Sequence, residues 1–535
     1  MGLMFWVVVA PLIAAFLILV IPKADKGMYR SIAFLGAVAS LVMTVIAWSQ
    51  LDIHNSGFQH VSNIPWFTLP NVWIGKDVTV GLTFGVDGFS LSLLTLGIVI
   101  SLFVIASVKV PRERSRHYFF WVSMVSLGIF GVFTALDLFT FLVALEVTLF
   151  STFFLIYLFG GEGRRKAAFK FLIYRGLATV FLLVAFVGVA FGAAGGMAPN
   201  AAILPPLSVA EAGSQAAPVY QQMLAQAHAS PITFNIQTLT HTMQTMPLSA
   251  FPEHWRMGLF IALLFAVFIE EAFVPFHTWL PTTNEVADTG TNMIVGGILT
   301  KTGAYVLLRV GVGLFPHEVN LAGTAIAIIG VVNILYGAFA AWAQKDWRRL
   351  IAFSSISHMG LVLLGVAALN SAGLQGAMFM LISSGLLTAL LFYVTGSMRE
   401  RTNTILIPSL GGLSKSMPML SGFLLFAALG SLGLPLTSGF ISEFQAFVGG
   451  FGTFPAISFV GILGVILSAV YMLYAIQKTT FGPTAAQYLQ LADAKAYEYV
   501  PIVVLTALVI IIGVYPDVLG SLFNPSVHAL LRMGG

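Results

Sequence analysis

The 535-residue chain contains no cysteine, and only 9% of its residues are charged. The absence of cysteine excludes disulfides, thiolate zinc sites and cysteine-ligated iron–sulfur clusters. The sequence also has no GxxxxGK[ST] phosphate loop, no dinucleotide-binding glycine fingerprint and no HExxH metal motif. We therefore expect no cofactor and no metal site on this chain.

Hydrophobic residues make up 58% of the chain and lie in long apolar runs from one end to the other. A run of about 20 residues crosses the hydrocarbon core of a bilayer as an α-helix. The sequence therefore predicts an all-α polytopic membrane protein with about fourteen spans. The first span has neither a basic n-region nor an A-x-A-like cleavage site, so we expect it to remain as a helix. The predicted spans are 4–21, 30–50, 88–108, 117–136, 138–159, 168–194, 257–280, 290–312, 320–342, 350–369, 373–397, 418–449, 454–476 and 498–520.

Lysine and arginine are distributed unevenly over the loops between these spans. If the N-terminus is outside, most of them fall in inside loops, and the positive-inside rule then places both termini outside. The net charge is +4, but the basic residues are scattered over short loops. The charge therefore does not indicate nucleic-acid binding. The outside segments hold only Lys76, Arg256, Arg309 and Arg532.

Two stretches are too polar to span a membrane. Residues 51–85 are rich in aromatic and turn residues, which indicates an ordered interfacial loop. Residues 195–255 are rich in Ala, Gln, Pro and Ser and predict a long outside loop with a short helix near 218–229. This second loop is either a docking surface or a tolerated insertion.

Two spans are interrupted, the seventh by Pro275 and Pro281 and the twelfth by Gly433, Pro435 and Gly439. Proline removes a helical hydrogen bond, and the freed backbone groups need other partners or water. Broken helices at matching places in two halves favour inverted repeats with an ion site near the bilayer midplane. The spacing fits two inverted five-helix repeats, spans 4–8 and spans 9–13.

This organisation predicts five segments. Residues 1–110 hold the first three helices and the interfacial loop, and residues 481–535 hold the last helix. The first repeat comprises 111–194 and 257–313, the outside loop comprises 195–256, and the second repeat comprises 314–480.

Several ionisable side chains fall inside predicted spans. A charge at the bilayer centre costs roughly 2.5–3.5 kcal/mol on insertion scales, so such residues usually face a hydrated interior and carry ions or protons. The pattern indicates an ion or proton path. The residues are Glu146, Lys170, Arg175, Glu270, Glu271, Lys301 and Glu443.

Three of these are the strongest candidates. Glu146 lies near the middle of span 5 with no cation within four residues, and Lys301 is central in span 8 among Gly and Thr residues. Glu443 follows Pro435 by eight residues, which suits a position beside unwound backbone. A structural carboxylate is the alternative, but the sequence favours a functional role.

Glu270 and Glu271 are adjacent, so their side chains point about 100° apart and cannot face one partner. Two such charges in a dry site cannot both stay ionised, so one can accept protons while the other pairs locally. Arg175 stays charged at depth and needs a carboxylate. The candidates are Glu146, Glu270 and Glu271.

Two histidines suit a relay between carboxylates and lysine, because histidine titrates near neutrality. His277 is seven residues after Glu270, and His358 lies one to two turns into span 10. A hydrogen-bonded core histidine is the commoner alternative. Lys170 lies about a turn from the inside loop and can snorkel, and we expect Asp87 to cap span 3.

The motifs GVDGFSL, LEVTLFSTFFLIYLFGG with RRKAAFKFLIY, VPFHTWLP, ILTKTGAY, DWRRLIAFSSISHMGLVLLG and GLPLTSGFISEF occur in this order. Together they resemble the antiporter-like membrane subunits of respiratory complex I, in particular the M type (mitochondrial subunit 4 type) of bacterial NADH-quinone oxidoreductase. The resemblance covers about residues 80–480. It implies fourteen helices with two inverted five-helix repeats. By resemblance, the key carboxylate of helix five is Glu146, the central lysine Lys301, the relay histidine His358 and the terminal glutamate Glu443.

The resemblance also implies an activity and partners. The chain would be a translocase subunit without a redox centre, moving protons as neighbouring subunits reduce quinone. NADH, FMN, iron–sulfur clusters and quinone are then expected on partner subunits. The partners would be the antiporter-like and quinone-proximal subunits of complex I, the lipid bilayer and the protons themselves, in a bacterial inner membrane.

The chain departs from the family at three places. The family has a lysine five residues before the proline of PFHTWLP, where this chain has Glu270. The acidic, histidine-containing stretch that follows is replaced by TTNEVADTGT, and span 6 carries Arg175 in place of a small or polar residue. We hypothesise that the cation partnering Glu146 has moved from helix seven to helix six.

Two other functions remain open on the sequence. A subunit of a multi-subunit sodium/proton antiporter shares this fold and most of these motifs. A non-pumping scaffold of the membrane arm is the second alternative, because Glu270 replaces the usual lysine. The electron donor, the quinone and the choice between proton and sodium are open as well.

Overall fold

A computed structural model describes residues 2–21, 25–73, 76–109, 112–194, 232–246, 251–484 and 486–534. The predicted helix near 218–229 lies outside these residues. The described residues are mostly helical, and the predicted helical membrane fold is confirmed, except that a three-stranded β-sheet is also present.

Spans 1 to 6 are continuous helices. Leu, Ile, Val and Phe fill their interiors, and Asp87 and Asp137 cap spans 3 and 5 through hydrogen bonds from backbone N–H groups. The predicted capping role of Asp87 is thus confirmed. The helices are α1 (Leu3–Val20), α2 (Lys26–Ser49), α3 (Gly88–Ser107), α4 (Ser115–Thr134), α5 (Leu138–Phe159) and α6 (Arg164–Ala193).

Spans 7 to 14 follow after a short helix, α7 (Ile236–Thr245). Span 7 comprises α8 (Glu253–Glu270) and α9 (Trp279–Val286), and span 8 comprises α10 (Thr289–Gly297), α11 (Thr302–Val306) and a π-helical turn (Leu307–Val312). Span 12 comprises α15 (Pro418–Ser431) and α16 (Ser438–Thr453). The others are α12 (Pro316–Trp342), α13 (Trp347–Ala367), α14 (Ser371–Thr402), α17 (Pro455–Thr480) and α18 (Ala496–Val514).

Twelve helices among the described residues are long and apolar enough to cross a membrane, and the two remaining predicted spans, 7 and 12, are each broken. Both breaks fall in the fourth span of their five-span unit. Successive spans alternate in direction and five is odd, so the two units have opposite orientations, as an inverted repeat requires. Span 8 is also interrupted, by a 3₁₀ turn at Leu299–Lys301, which the sequence analysis did not predict.

The predicted interfacial loop of residues 51–85 is a β-hairpin. Strand β1 (Gln59–Trp73) pairs antiparallel with β2 (Lys76–Val86), with Ser62 opposite Phe84. The apolar residues of β2 alternate along the strand and supply its buried face. This alternation is the sequence pattern that predicts a strand. A short strand β3 (Ile232–Thr233) adds to β2 in parallel.

This sheet fixes which parts of the chain share a side of the membrane. It joins the excursion after span 2 to the one after span 6, so both lie on one side. The N-terminus is on the same side, because Gly2 packs against Ser62 of β1. These contacts agree with the predicted sidedness of the loops.

A C-terminal helix, α19 (Asp517–Gly534), follows span 14 and was not predicted. Its Ser526 hydroxyl donates to Asp87 at 2.7 Å, and both Asp87 oxygens accept from Arg309 at 2.7 Å. Arg309 also lies over the ring of Phe58 at 4.7 Å from its centroid. Arg309, which the sequence places among the outside cations, is therefore a largely buried ion-pair partner that joins spans 3 and 8 to the last helix.

We expect Arg309→Met to destabilise the protein by about 3–5 kcal/mol, because it leaves the carboxylate of Asp87 buried without its cation. The thermal stability of the purified complex measures this effect. Lys109→Met is the matched control, because Lys109 pairs with Glu400 at the surface, where such pairs contribute about 0–1 kcal/mol. Equal melting temperatures for the two variants would contradict the structural role given to Arg309.

Spans 10 and 11 form the centre of the molecule. Their apolar segments are completely buried, whereas spans 2, 13 and 14 bury less than half of theirs. Most of the large exposed side chains of these outer spans are Leu, Val, Ile and Phe, which suit a lipid-facing surface. The buried ionisable residues lie among the central spans.

Candidate functional site: a buried ionisable axis

The break in span 7 positions the first group of charges. The backbone N–H of Val274 donates to Asn333 Oδ1 at 2.8 Å, and the indole N–H of Trp279 donates to the Ile269 carbonyl at 2.8 Å. These bonds satisfy backbone groups that the helix no longer pairs. The break therefore holds Glu270 and Glu271 in fixed positions at the end of α8.

Arg175 of span 6 forms a direct ion pair with Glu270. Their side chains are only 1% and 3% exposed, and the guanidinium lies over the rings of Phe171 and Trp279 at 5.7 and 5.8 Å. The Thr302 hydroxyl donates to the Leu299 carbonyl at 2.8 Å and interacts with Glu270 electrostatically. The structure thus selects Glu270 from the three predicted carboxylate partners of Arg175.

Glu146 is not the direct partner of Arg175, contrary to the hypothesis drawn from the sequence. It interacts electrostatically with both Arg175 and Glu270, but it forms no ion pair within the part of the chain that the structure describes. Glu146 is half-buried and lines a groove of about 440 Å³ with Trp121, Phe150 and other apolar residues. The rotation of span 5 about its axis, which the sequence does not specify, explains the difference.

Glu271 and Lys301 form the second group. Glu271 Oε1 accepts from the backbone N–H of Ala304 at 2.6 Å. Lys301 Nζ donates to the Gly296 carbonyl at 2.9 Å and to the Thr300 hydroxyl at 3.1 Å. Both side chains are completely buried and interact electrostatically with each other.

The local backbone explains why a lysine can be buried here. Span 8 is interrupted next to Lys301, so the carbonyls that end α10 have no helical partner and can accept from the ammonium. The negative end of the α10 dipole adds to this stabilisation. A Cβ at Gly303 would lie 2.8 Å from Glu270 Cβ, so only glycine allows α8 to approach this closely.

His277 lies in the 3₁₀ turn of the span 7 break (Phe276–Thr278). Its Nε2 is hydrogen-bonded to the Tyr336 hydroxyl of span 9 at 3.0 Å. Within the described residues it forms no hydrogen bond or ion pair with Glu270, the neighbour expected from the spacing. His277 therefore connects the break to span 9.

His358 and Glu443 form the third group. His358 Nε2 lies 3.8 Å from Glu443 Oε1, and both residues are buried. His358 also interacts electrostatically with Lys301 and hydrogen-bonds to the backbone of Ser431, at the end of α15. Gly433 in the span 12 break has φ of +72°, and a Cβ there would lie 2.7 Å from Glu443 Oε2. Glu443 thus lies against unwound backbone, as predicted.

Polar residues around this axis were missed by the sequence analysis. Thr300 and Thr302 contact Lys301 and Glu270, and Asn333 and Tyr336 contact the span 7 break. The threonines on both sides of Lys301 could have been recognised from the sequence as polar neighbours of the lysine. Nothing in the sequence indicates that span 9 packs against span 7.

Lys170 is held by the broken span and does not simply extend towards the surface. Its Nζ donates to the Thr278 carbonyl at 2.7 Å and lies 3.3 Å from the Thr282 hydroxyl. The structure therefore gives Lys170 a structural contact with the loop that positions His277.

The ionisable residues follow one another from span 5 to span 12. The order is Glu146, the Arg175–Glu270 pair, Glu271, Lys301, His358 and Glu443, with electrostatic interactions or contacts between successive members. Within the described residues, no cluster of three His, Asp or Glu side chains could hold a metal ion. The arrangement is chemically suited to moving protons among carboxylates, lysine and histidine.

Comparisons with known proteins agree with this arrangement. The family described as "NADH:quinone oxidoreductase/Mrp antiporter, TM" matches residues 135–204 and 222–473. The chain is 31% identical to NAD(P)H-quinone oxidoreductase chain 4 2 of Microcystis aeruginosa, over 97% of this chain and 91% of that protein. It is 30% identical to NADH-quinone oxidoreductase subunit M of Rickettsia bellii, over 95% and 93%.

Solved structures show the same fold. A chain of respiratory complex I from Thermus thermophilus with bound NADH gives a TM-score of 0.81 at 25% identity, over 99% of this chain and 100% of that one. A chain of the Mrp complex from Dietzia sp. DQ12-45-1b gives 0.78 at 18% identity, over 100% and 99%, and shares the fold. The predicted resemblance is confirmed, and the chain belongs to the NADH:quinone oxidoreductase/Mrp antiporter transmembrane family, with similarity to its M, or chain 4, members.

Proposed function

We propose that this chain translocates protons as a membrane-arm subunit of a complex I type NADH-quinone oxidoreductase. The observation that carries the proposal is Lys301, which is completely buried at a helix break and lies between Glu271 and His358. A buried lysine on a path of carboxylates is a proton carrier by default. The similarity to M and chain 4 subunits supplies the type of complex.

The two five-span units each contribute one water-accessible half-channel at the broken span. Protons would enter the axis at the span 7 break, pass Lys301 and His358, and leave beside Glu443 at the span 12 break. Moving one charge against the membrane potential requires about 2.3 kcal/mol per 100 mV. A change of about two units in the pKa of a side chain that carries the proton supplies a similar free energy, because one pKa unit corresponds to about 1.4 kcal/mol.

Quinone reduction in a neighbouring subunit would drive translocation by changing the charge near Glu146 or the distance between Glu146 and a charged group. Glu146 is half-buried in a groove at the surface of the chain, so a neighbouring subunit can reach it. Its charge acts on Arg175 and Glu270, which adjoin Glu271. In a low-dielectric interior, unit charges a few ångströms apart interact by several kcal/mol, which is enough to load or release a proton.

The proposal includes partners and location. The chain would assemble with antiporter-like and quinone-proximal subunits in a bacterial inner membrane, with both termini outside. The electron-transfer cofactors would lie on those other subunits, and this chain would contribute proton transfer alone.

Purification through an affinity tag on this chain tests the proposal directly. We expect quinone-site and iron–sulfur subunits to copurify, and quinone reduction by the complex to acidify proteoliposomes in sodium-free buffer. Copurification with antiporter subunits alone, together with sodium-dependent proton movement, would establish the antiporter alternative. The Mrp similarity is a likeness of fold and does not favour that alternative by itself.

The scaffold alternative is weakened by the presence of Glu146, Lys301 and Glu443 along the axis. The Arg175–Glu270 pair does not decide this question, because a buried carboxylate needs a cation whether or not the chain conducts protons. A completely buried arginine lies opposite Glu270. The site therefore retains a pair of opposite charges with a different geometry.

We expect Glu443→Gln to block the release of protons at the span 12 end of the axis, because glutamine cannot take up the proton from His358. We expect proton translocation through this chain to fall about 100-fold, the scale of a lost acid–base group. Proton uptake into inverted vesicles during quinone reduction measures it. Glu400→Gln is the control, because Glu400 is an exposed partner of Lys109 and its loss should leave pumping unchanged. Normal pumping by Glu443→Gln would exclude Glu443 from the path.

A further inference from the structure

We infer that Glu271 is the proton acceptor of Lys301 in this chain, whereas Glu270 is a positioning residue held by Arg175. This inference rests on the proposed proton-translocating function. It assigns different roles to two adjacent carboxylates that the sequence cannot distinguish.

The two carboxylates lie in different environments. Glu270 is already bound by a guanidinium that stays charged at any physiological pH. Releasing it would leave an unpaired buried charge on Arg175, which is costly. Glu270 is therefore fixed in its charged, paired state.

Glu271 has no such partner. Its Oε1 accepts a single bond, from the Ala304 N–H at 2.6 Å. Its Oε2 is buried and has neither a hydrogen-bond partner nor an ion-pair partner among the described residues, whereas Glu270 Oε2, which also lacks a hydrogen bond, is paired with Arg175. A buried carboxylate oxygen without a donor is unfavourable, and binding a proton removes the charge.

Lys301 offers the matching donor. An ammonium has three N–H groups, and two are used, on the Gly296 carbonyl and the Thr300 hydroxyl. The third can turn towards Glu271, with which Lys301 interacts electrostatically although the two form no ion pair within 4 Å. The 3₁₀ turn at Leu299–Lys301 separates α10 from α11 and lets this side chain change partners.

The proton balance of this step is simple. One proton leaves the Lys301 ammonium and binds Glu271 Oε2, so an ammonium and a carboxylate become a neutral amine and a neutral acid. The total charge of the pair stays at zero and no other reactant is needed. A low-dielectric interior tolerates the neutral pair, so the transfer requires little reorganisation.

Glu271→Gln tests the inference, since glutamine keeps the carbonyl oxygen that accepts from Ala304 but cannot take up a proton. We expect translocation through this chain to fall about 100-fold in proteoliposomes that contain the purified complex. The rate of quinone reduction with an uncoupler present should be unchanged. Glu271→Asp should restore part of the pumping, because it restores a carboxylate.

The matched control is the double variant Arg256→Met/Glu318→Gln. This pair is also buried, with 2.9 Å between Arg256 Nε and Glu318 Oε1, but it lies away from the axis. We expect the control to pump normally. It shows that removal of a buried carboxylate is not sufficient to stop translocation.

The outcomes separate this inference from the proposed function. If Glu271→Gln pumps normally while Lys301→Ala does not, the axis is real but Glu271 is not the acceptor. If neither variant changes pumping, the proposed function itself fails. If Glu271→Gln and Glu271→Asp both prevent assembly of the complex, Glu271 is a structural residue and the inference is overturned.

Discussion

Lys301→Ala is expected to abolish proton translocation through this chain while quinone reduction by the uncoupled complex continues. Lys301 interacts electrostatically with both Glu271 and His358. Without it the two halves of the axis lose their common titratable side chain, and a proton crossing the buried gap as a bare charge meets a barrier of several kcal/mol. Proton-to-electron stoichiometry in proteoliposomes measures the loss.

The control for this variant is Lys345→Ala. Lys345 is exposed in the loop between spans 9 and 10, so the change removes the same side chain from a position outside the axis. Its stoichiometry should equal that of the unmodified complex. A near-normal stoichiometry for Lys301→Ala would show that protons cross elsewhere, and the proposed path would be wrong.

Arg175→Met is expected to destabilise the protein by about 3–5 kcal/mol, because it leaves the buried Glu270 carboxylate without its cation. A loss of this size exceeds the effect of most single substitutions. The yield of assembled complex and its thermal stability both measure it. The double variant Arg175→Met/Glu270→Gln should recover most of the stability, because neither charge then remains alone.

The double variant also distinguishes two causes of the loss. Arg175 packs over Phe171 and Trp279 in addition to pairing with Glu270. If the double variant is as unstable as Arg175→Met, the loss comes from packing on these rings. If Arg175→Met itself is stable, the ion pair has no structural importance.

Much of the fold could be predicted from the sequence, because the bilayer allows few alternatives. Apolar runs of membrane length predicted the spans, and Pro275 and Gly433 marked the broken ones. The sheet was missed because aromatic and proline residues in β1 obscured the alternation in β2. Helix α19 was missed because its polar residues make it unlike a span.

The candidate site could be predicted only as a set of residues. A charged residue within an apolar run can be recognised from the sequence alone, so Glu146, Arg175 and Lys301 were predicted as candidates. Which residue faces which depends on the rotation of each helix about its axis, and the sequence left three candidate partners for Arg175. The structure selects Glu270 and leaves Glu146 at the groove.

The Arg175–Glu270 pair has a further consequence for electroneutrality. With Glu146, Glu271 and Lys301, it makes a cluster of three acidic and two basic side chains. The four buried members, Arg175, Glu270, Glu271 and Lys301, sum to zero formal charge, so the charge left unbalanced in the cluster is that of Glu146 at the groove. A positive charge that a neighbouring subunit brought to the groove or withdrew from it would therefore act on the unbalanced member of the cluster.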